Sequence, residues 1–176
     1  GGEGGGGGTV WRAAGRGGGA DAWFSAAGVR RGGVMLYKPA GLDVSEILGI
    51  THAVTLGLRD YLSDKGVESR IKWPNDIWVG DRKICGILIE NVLDGSLVRR
   101  SIIGIGLNLN ESGWPPELPN PVSLHELTGR NYDTRSELVV LREKICRRLT
   151  CADSGDGRKE LQEEFGKYVF RLPEEP

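Results

Sequence analysis

The residues best suited to chemistry crowd into one stretch, Lys72-Trp73-Pro74-Asn75-Asp76, with Asp81-Arg82-Lys83 and Gly86-Ile87-Leu88-Ile89-Glu90-Asn91 close behind. A lysine beside a glycine-permissive turn suits a phosphate or a carboxylate. Proline after Trp73 predicts an end to sheet pairing there, with the Asn75 and Asp76 side chains exposed. The same spacing also fits a polar hairpin with solvated charges. A second group is Gly15-Arg16-Gly17-Gly18-Gly19. Glycines let backbone N–H groups approach an anion, and one arginine can fork onto a carboxylate or phosphate. This is no P-loop, since no Gly-Lys-Ser/Thr follows, and no strand-then-helix pattern supports a dinucleotide fingerprint. The third group, Gly104-Ile105-Gly106-Leu107-Asn108-Leu109-Asn110, ends a long apolar run. Glycines inside a strand suggest close approach of a ligand or another backbone. Asn108 could donate to and accept from an adenine edge, or simply turn the chain.

Positioning these groups requires a sheet. Thr9–Ala14 and Val34–Tyr37 have strand composition, and GRGGGADAWFSAAG between them reads as a loop. Asp43-Val44-Ser45 opens a helical pattern through Ile47, Ile50, Val54, Leu58 and Leu62, with Asp43 or Ser45 as cap and Gly66 past its end. Val67–Trp73, Ile77–Val79, Ile84–Glu90 and Leu97–Leu109 are β-rich runs. They are punctuated by Pro74, Gly80-Asp81 and Asp94-Gly95, the last a hairpin signal. Short turns between consecutive strands predict antiparallel pairing. After a proline-rich loop (Trp114–Pro121), Glu137–Leu149 and Lys159–Tyr168 each carry apolar residues on one helical face. The expected fold class is α+β: a mixed, mainly antiparallel sheet with helices on one side. His52 in the first helix and His125 in a loop-to-helix region read as structural or exposed. Cys85, Cys146 and Cys151 read as buried or incidental thiols.

Composition narrows the function classes. With 176 residues, 23 Lys+Arg against 24 Asp+Glu, and a net charge of -1, the chain suits one domain. It has no excess positive charge to neutralise phosphates of DNA or RNA. No run approaches the roughly 20 apolar residues of a membrane span, and no hydrophobic signal segment follows the first residues. Three cysteines without histidine at metal-ligand spacing suit a reduced, cytoplasmic compartment. Fifteen of the 28 glycines fall in the first 41 residues, and GGEGGGGG at 1–8 reads as an unassigned or disordered segment before a domain at 9–176.

The three groups together resemble the biotin–protein ligase family (biotin–[acetyl-CoA-carboxylase] ligases). The resemblance rests on KWPND with a lysine seven residues later and then Gly-Ile-Leu-Ile-Glu, on GRG before Trp23-Phe24-Ser25-Ala26-Ala27-Gly28, and on GIGLN. It spans roughly residues 9–130, continuing through Pro121-Val122-Ser123-Leu124 and Leu127-Thr128-Gly129. It implies the fold of class II aminoacyl-tRNA synthetases and biotin synthetases. It also implies a two-step reaction: ATP-dependent formation of biotinyl-5′-AMP, then transfer of biotin to a lysine of a biotin carboxyl carrier protein. By resemblance Lys83 bridges the biotin carboxylate and the α-phosphate, and Arg16 contacts the acyl-phosphate. Lys72 serves the nucleotide phosphates, and Asn75 is a further nucleotide-binding residue. Asp76 orients Lys83 or a metal, or accepts the incoming lysine's proton. Asn108 reads adenine, Trp23 packs in the ligand pocket, and Gly17 and Gly86 border biotin. Mg²⁺ is expected with ATP, without a protein-only metal cage. Lipoate or octanoyl ligases and transferases share the fold but lack KWPND; a non-catalytic biotin- or nucleotide-binding module is the other alternative. The resemblance allows a homodimer through a sheet edge.

The chain departs from the family pattern in several places. Gly18, Gly19, Ala20 and Asp21 stand where arginine, glutamine or asparagine are usual, which implies a loop that releases biotinyl-AMP. Glycines replace an upstream Ser-Thr-Asn segment. No helix-turn-helix precedes the domain and no small barrel follows Phe170, so a monofunctional ligase without DNA or membrane partners is expected.

Overall fold

The computed structural model describes the backbone of residues 11–15, 18–25, 32–118 and 120–170, with side chains from residue 33 onward. Three strands come first: β1 (Trp11–Gly15), β2 (Gly18–Ser25) and β3 (Gly32–Lys38). A 3-10 turn (Val44–Glu46) leads into α1 (Leu48–Asp64). Four strands follow, β4 (Arg70–Lys72), β5 (Asp76–Val79), β6 (Arg82–Asp94) and β7 (Leu97–Leu107). The chain continues through α2 (Leu124–Thr128), α3 (Thr134–Cys151) and α4 (Gly155–Tyr168) to β8 (Val169–Phe170).

Among the described residues the strands form one sheet in the order β1-β2-β3-β7-β6-β5-β4-β8. Every pairing is antiparallel except β4 with β8. The β6–β7 hairpin turns at Asp94-Gly95, with Gly95 at φ 60°, a left-handed conformation that glycine adopts without strain. GRGGGADAWFSAAG is not all loop: Gly18–Ser25 is β2, paired on both sides with β1 and β3. Glycine lowers strand propensity, but cross-strand partners on both edges override that local preference.

Helices α1, α3 and α4 cover one face of the sheet, as the α+β expectation requires. Val54, Leu58 and Leu62 of α1 meet Leu141, Ile145 and Leu149 of α3 in a core that also buries Met35, Ile71, Ile77, Ile87, Ile103 and Ile105. Each such side chain contributes about 1.5–3 kcal/mol by leaving water. Gly57 lets α1 and α3 touch, because a Cβ there would lie 2.7 Å from Ile145 Cα. Arg148 of α3 clamps the three helices, donating from Nε to Asp60 at 2.6 Å and from Nη1 to Glu164 at 2.6 Å. The predicted cap also differs. Asp43 caps the 3-10 turn through the Ser45 N–H, whereas α1 itself begins after Ile47, which supplies no side-chain cap. The interposed turn takes the capping residue away from the long helix. Among the described residues, no helix is long and apolar enough to cross a membrane.

Candidate active site

Simple alternation along β6 would place Lys83 and Gly86 on opposite faces. A register shift opposite Ile77/Trp78 changes this. Ile84 and Cys85 both turn into the core, 0% and 1% exposed, and Lys83 and Gly86 emerge on the same open face. A Cβ on Gly86 would sit 3.4 Å from Lys83 Cε and Nζ and 3.8 Å from Asp76 Oδ1. The register aligns Lys72 with Asp76, Asp76 with Gly86, and Gly86 with Gly106, a row across four strands. One row along, Val34, Gly104 and Leu88 are aligned, and Val34 and Leu88 are exposed. The open face is therefore a glycine floor flanked by apolar side chains, with charged groups at one end.

Lys83 Nζ lies 3.2 Å from Asp76 Oδ1, with the side chains 40% and 28% exposed. So open a pair adds little to stability. The backbone of Lys83 is fixed more firmly. Its N–H donates to Asn120 O at 2.8 Å, and its carbonyl accepts from Val122 N–H at 2.9 Å. Lys72 Nζ stands 4.5 Å from the centre of the Trp78 ring, a cation–π contact that directs it over the same face.

The two asparagines are tied to backbone. Asn75 donates from Nδ2 to Ile87 O at 2.6 Å, and its own carbonyl accepts from Ile87 N–H at 3.1 Å. It therefore fixes β5 to β6 beside Asp76. Asn108 donates from Nδ2 to Val122 O at 3.0 Å, and its carbonyl accepts from Leu124 N–H at 2.9 Å. These contacts tie Asn108 to the Val122–Leu124 segment. Pairing does stop between Lys72 and Asp76, as proline predicted. Asn75 and Asp76 are nevertheless half-buried rather than exposed, because both fold back against β6. Arg16 and Gly17 lie outside the described residues. Trp23 is described only in its backbone, which pairs with Val34 in the open-face row.

Sequence patterns do not single out Trp78 or Glu126, whereas Pro121-Val122-Ser123-Leu124 belongs to the family pattern. Trp78 sat in a run read only as β-rich; the alternation Asp76-Ile77-Trp78 was the available signal for its facing outward. Arg82 donates to Pro121 O at 3.2 Å and lies 3.7 Å from Glu126. Burial pushes the Glu126 carboxyl up, but hydrogen bonds from the Trp114 indole and the Ser123 backbone, with Arg82 nearby, hold it below the usual range. Behind Gly86, burial pushes the Cys85 thiol far up despite Lys83, so it stays protonated and unreactive. No group of three His, Cys, Asp or Glu among the described residues could hold a metal ion.

Residues 9–108 match the model of the biotin/lipoate A/B protein ligase family. The chain belongs to that family. It is 33% identical over 130 residues to the bifunctional ligase/repressor BirA of Bacillus subtilis, covering 68% of this chain and 38% of that one. It is 32% identical over 143 residues to the biotin–[acetyl-CoA-carboxylase] ligase of Paracoccus denitrificans, covering 76% and 58%. The chain thus spans between 38% and 58% of the length of these two relatives. The biotin protein ligase of Aquifex aeolicus shares the fold, with a TM-score of 0.68 and 22% identity over 85% of this chain and 67% of that one. The same ligase solved with biotin and ATP gives 0.62 and 22%, over 88% and 59%.

Proposed function

We propose that the open face activates biotin with ATP to biotinyl-5′-AMP and passes biotin to a lysine of a biotin carboxyl carrier protein. The observation that carries this reading is Lys83, bent by the bulge over the Gly86 floor and held 3.2 Å from Asp76. A carboxylate oxygen of biotin attacks the α-phosphorus, the α–β P–O bond breaks, and pyrophosphate leaves. Negative charge grows on the α-phosphoryl oxygens, and a fixed ammonium there is the main catalytic need. Lys83 supplies it, with Arg16 as a second cation. Lys72, steered by Trp78, serves the outgoing phosphates, and the family motif assigns Trp23 and Gly17 to biotin. The floor of Gly86, Gly104 and Gly106 between Val34 and Leu88 suits a flat apolar ligand with its carboxylate directed at Lys83. In the second step a carrier lysine attacks the acyl carbon, AMP leaves, and Asp76 accepts the proton. Asn75 and Asn108 act by holding Asp76 and Lys83; Asn108 Oδ1 remains the adenine-facing acceptor.

The described residues do not form a cage for Mg²⁺. Asp76 is the carboxylate at Lys83 and is already paired with it, so Mg²⁺ is assigned to ATP and no step to the ion. ATP as a substrate and three unpaired cysteines fit a cytoplasmic protein. Gly19, Ala20 and Asp21 are paired between β1 and β3, and this supports release of biotinyl-AMP rather than its retention under a covering loop. Trapping free biotinyl-AMP against carrier labelling checks this point; release slower than transfer would refute it.

The family model also spans lipoate ligases, so a linear acyl substrate is the second reading. Pyrophosphate release from ATP separates the possibilities. Release with biotin, none with lipoate, and loss in Lys83→Ala are expected. Release with lipoate alone would assign a lipoate ligase, and no release would leave an acyl transferase or a binding module, which acyl transfer from a preformed thioester tells apart.

A further inference from the structure

A separate cavity lies in the helical layer, at the N-terminal ends of α1 and α4. Helices α1 and α4 run side by side in the same direction: Gly49 lies against Arg158, His52 against Phe165, and Arg59 against Tyr168. Their N-termini therefore open into one cavity of about 300 Å³. Its lining includes Glu46, Gly49, His52, Gly155, Arg158 and Lys159. Parallel helices are electrostatically costly at their ends, because two partial positive charges meet there.

Among the described residues that charge is offset in part: Asp156 lies in the first turn of α4, but α1 has no counterpart. Ile47 gives α1 no side-chain cap, and the first turn of α1 carries no acidic residue. Ser154 caps α4 by accepting only from Gly157 N–H, at 3.0 Å. Arg158 crosses the first turn of α1 because Gly49 has no side chain; a Cβ there would be 3.2 Å from Arg158 Cδ. Its Nη1 donates to Ala152 O at 3.0 Å, while its Nε lies 3.3 Å from the half-exposed carboxylate of Glu46. Glu46 demonstrates that an anionic oxygen is accepted at this position, and being exposed it can move aside. Lys159 makes no ion pair among the described residues.

His52 is an independent pointer. It is only 7% exposed, it lines the cavity, and its ring packs 4.4 Å from that of Phe165. Neither ring nitrogen has a hydrogen-bond partner among the described residues. The imidazole is held in place by packing, and its polar edge is left for whatever enters the cavity. The requirement is a compact group with several oxygens, able to accept from two helix ends, a guanidinium, an ammonium and an imidazole. A phosphate meets it. A volume of about 300 Å³ exceeds a bare ion and leaves room for a small body attached to it.

We infer that the cavity between the N-termini of α1 and α4 binds the phosphate group of a small molecule, held by Arg158, Lys159, His52 and the first N–H groups of α1. The inference does not depend on the reading of the open face.

Titration of the full chain with inorganic phosphate at constant ionic strength, followed by backbone amide shifts, tests it. Saturable shifts are expected at Leu48, Gly49 and Gly155, with the dissociation constant raised about 3–10-fold in Lys159→Gln. Lys159 is exposed, so that variant folds; His52→Asn should weaken binding similarly. Lys83→Ala should leave these shifts unchanged, which separates the cavity from phosphate bound at the open face. Shifts that stay linear to high phosphate, or an unchanged constant in both cavity variants, would overturn the inference.

Discussion

On the helix-covered face β7 presents Ser101, Ile103, Ile105 and Leu107, each at most 5% exposed. On the open face the same strand presents Gly104 and Gly106. One face is filled and the other left low, over a single backbone. A filled face gains stability from close packing, and a Cβ missing from the other face costs some of it. What the open face gains is room for a ligand beside Lys83. On the proposed reading stability and chemistry are divided between the faces, and substitutions should separate the two.

The largest expected effect is on activity alone. Lys83→Ala should lower biotin-dependent pyrophosphate release by about 10²–10³-fold, the loss typical of one charge-stabilising donor. Its thermal midpoint should stay near that of the parent, since the Lys83–Asp76 pair is largely open to water. A collapse in stability with this variant would break the division. Next is Gly86→Val, which should displace Lys83 by filling the 3.4 Å gap, at a cost of about 10–10²-fold in turnover. Valine suits a strand, so melting should not fall.

The converse variant lies in the covered layer. Gly57→Ala would drive a Cβ to 2.7 Å from Ile145 Cα and should cost about 1–3 kcal/mol, read by denaturant unfolding. Turnover per folded molecule should not change. The smallest effect is a pH dependence. Burial lowers the His52 pKa below its ordinary 6.5, so the unfolded chain takes up a proton there before the folded one does. Stability from neutral His52 is complete above pH 6.5 and is lost as pH falls toward the lower folded value. Carboxylates such as Glu164, held low by hydrogen bonds from Arg148, act only below about 4.5. Unfolding curves between these limits should slope with pH in the parent and flatten in His52→Gln.

Local chemistry explains which parts could be read from the sequence. Asp94-Gly95 and Gly80 announced their turns, and the spacing of Val54, Leu58 and Leu62 announced α1, because each signal is contained within a few residues. Lys83 and Asp76 are seven positions apart and meet only through a hairpin with a bulge at Ile84/Cys85. Strand periodicity would have separated Lys83 from Gly86, and the family motif, not spacing, linked them. Gly18–Ser25 was hidden because its pairing comes from β1 and β3, not from its own composition. The cavity at His52 was invisible for a similar reason: Gly49 and Arg158 belong to distant parts of the chain, brought together by the parallel packing of α1 and α4.

A structure of the full chain with biotin and ATP tests the central claim most directly. Biotin should lie over Gly86, Gly104 and Gly106, with its carboxylate and the α-phosphate both within hydrogen-bonding distance of Lys83 Nζ. Biotin bound elsewhere, with Lys83 still paired only to Asp76, would contradict the assignment of the open face.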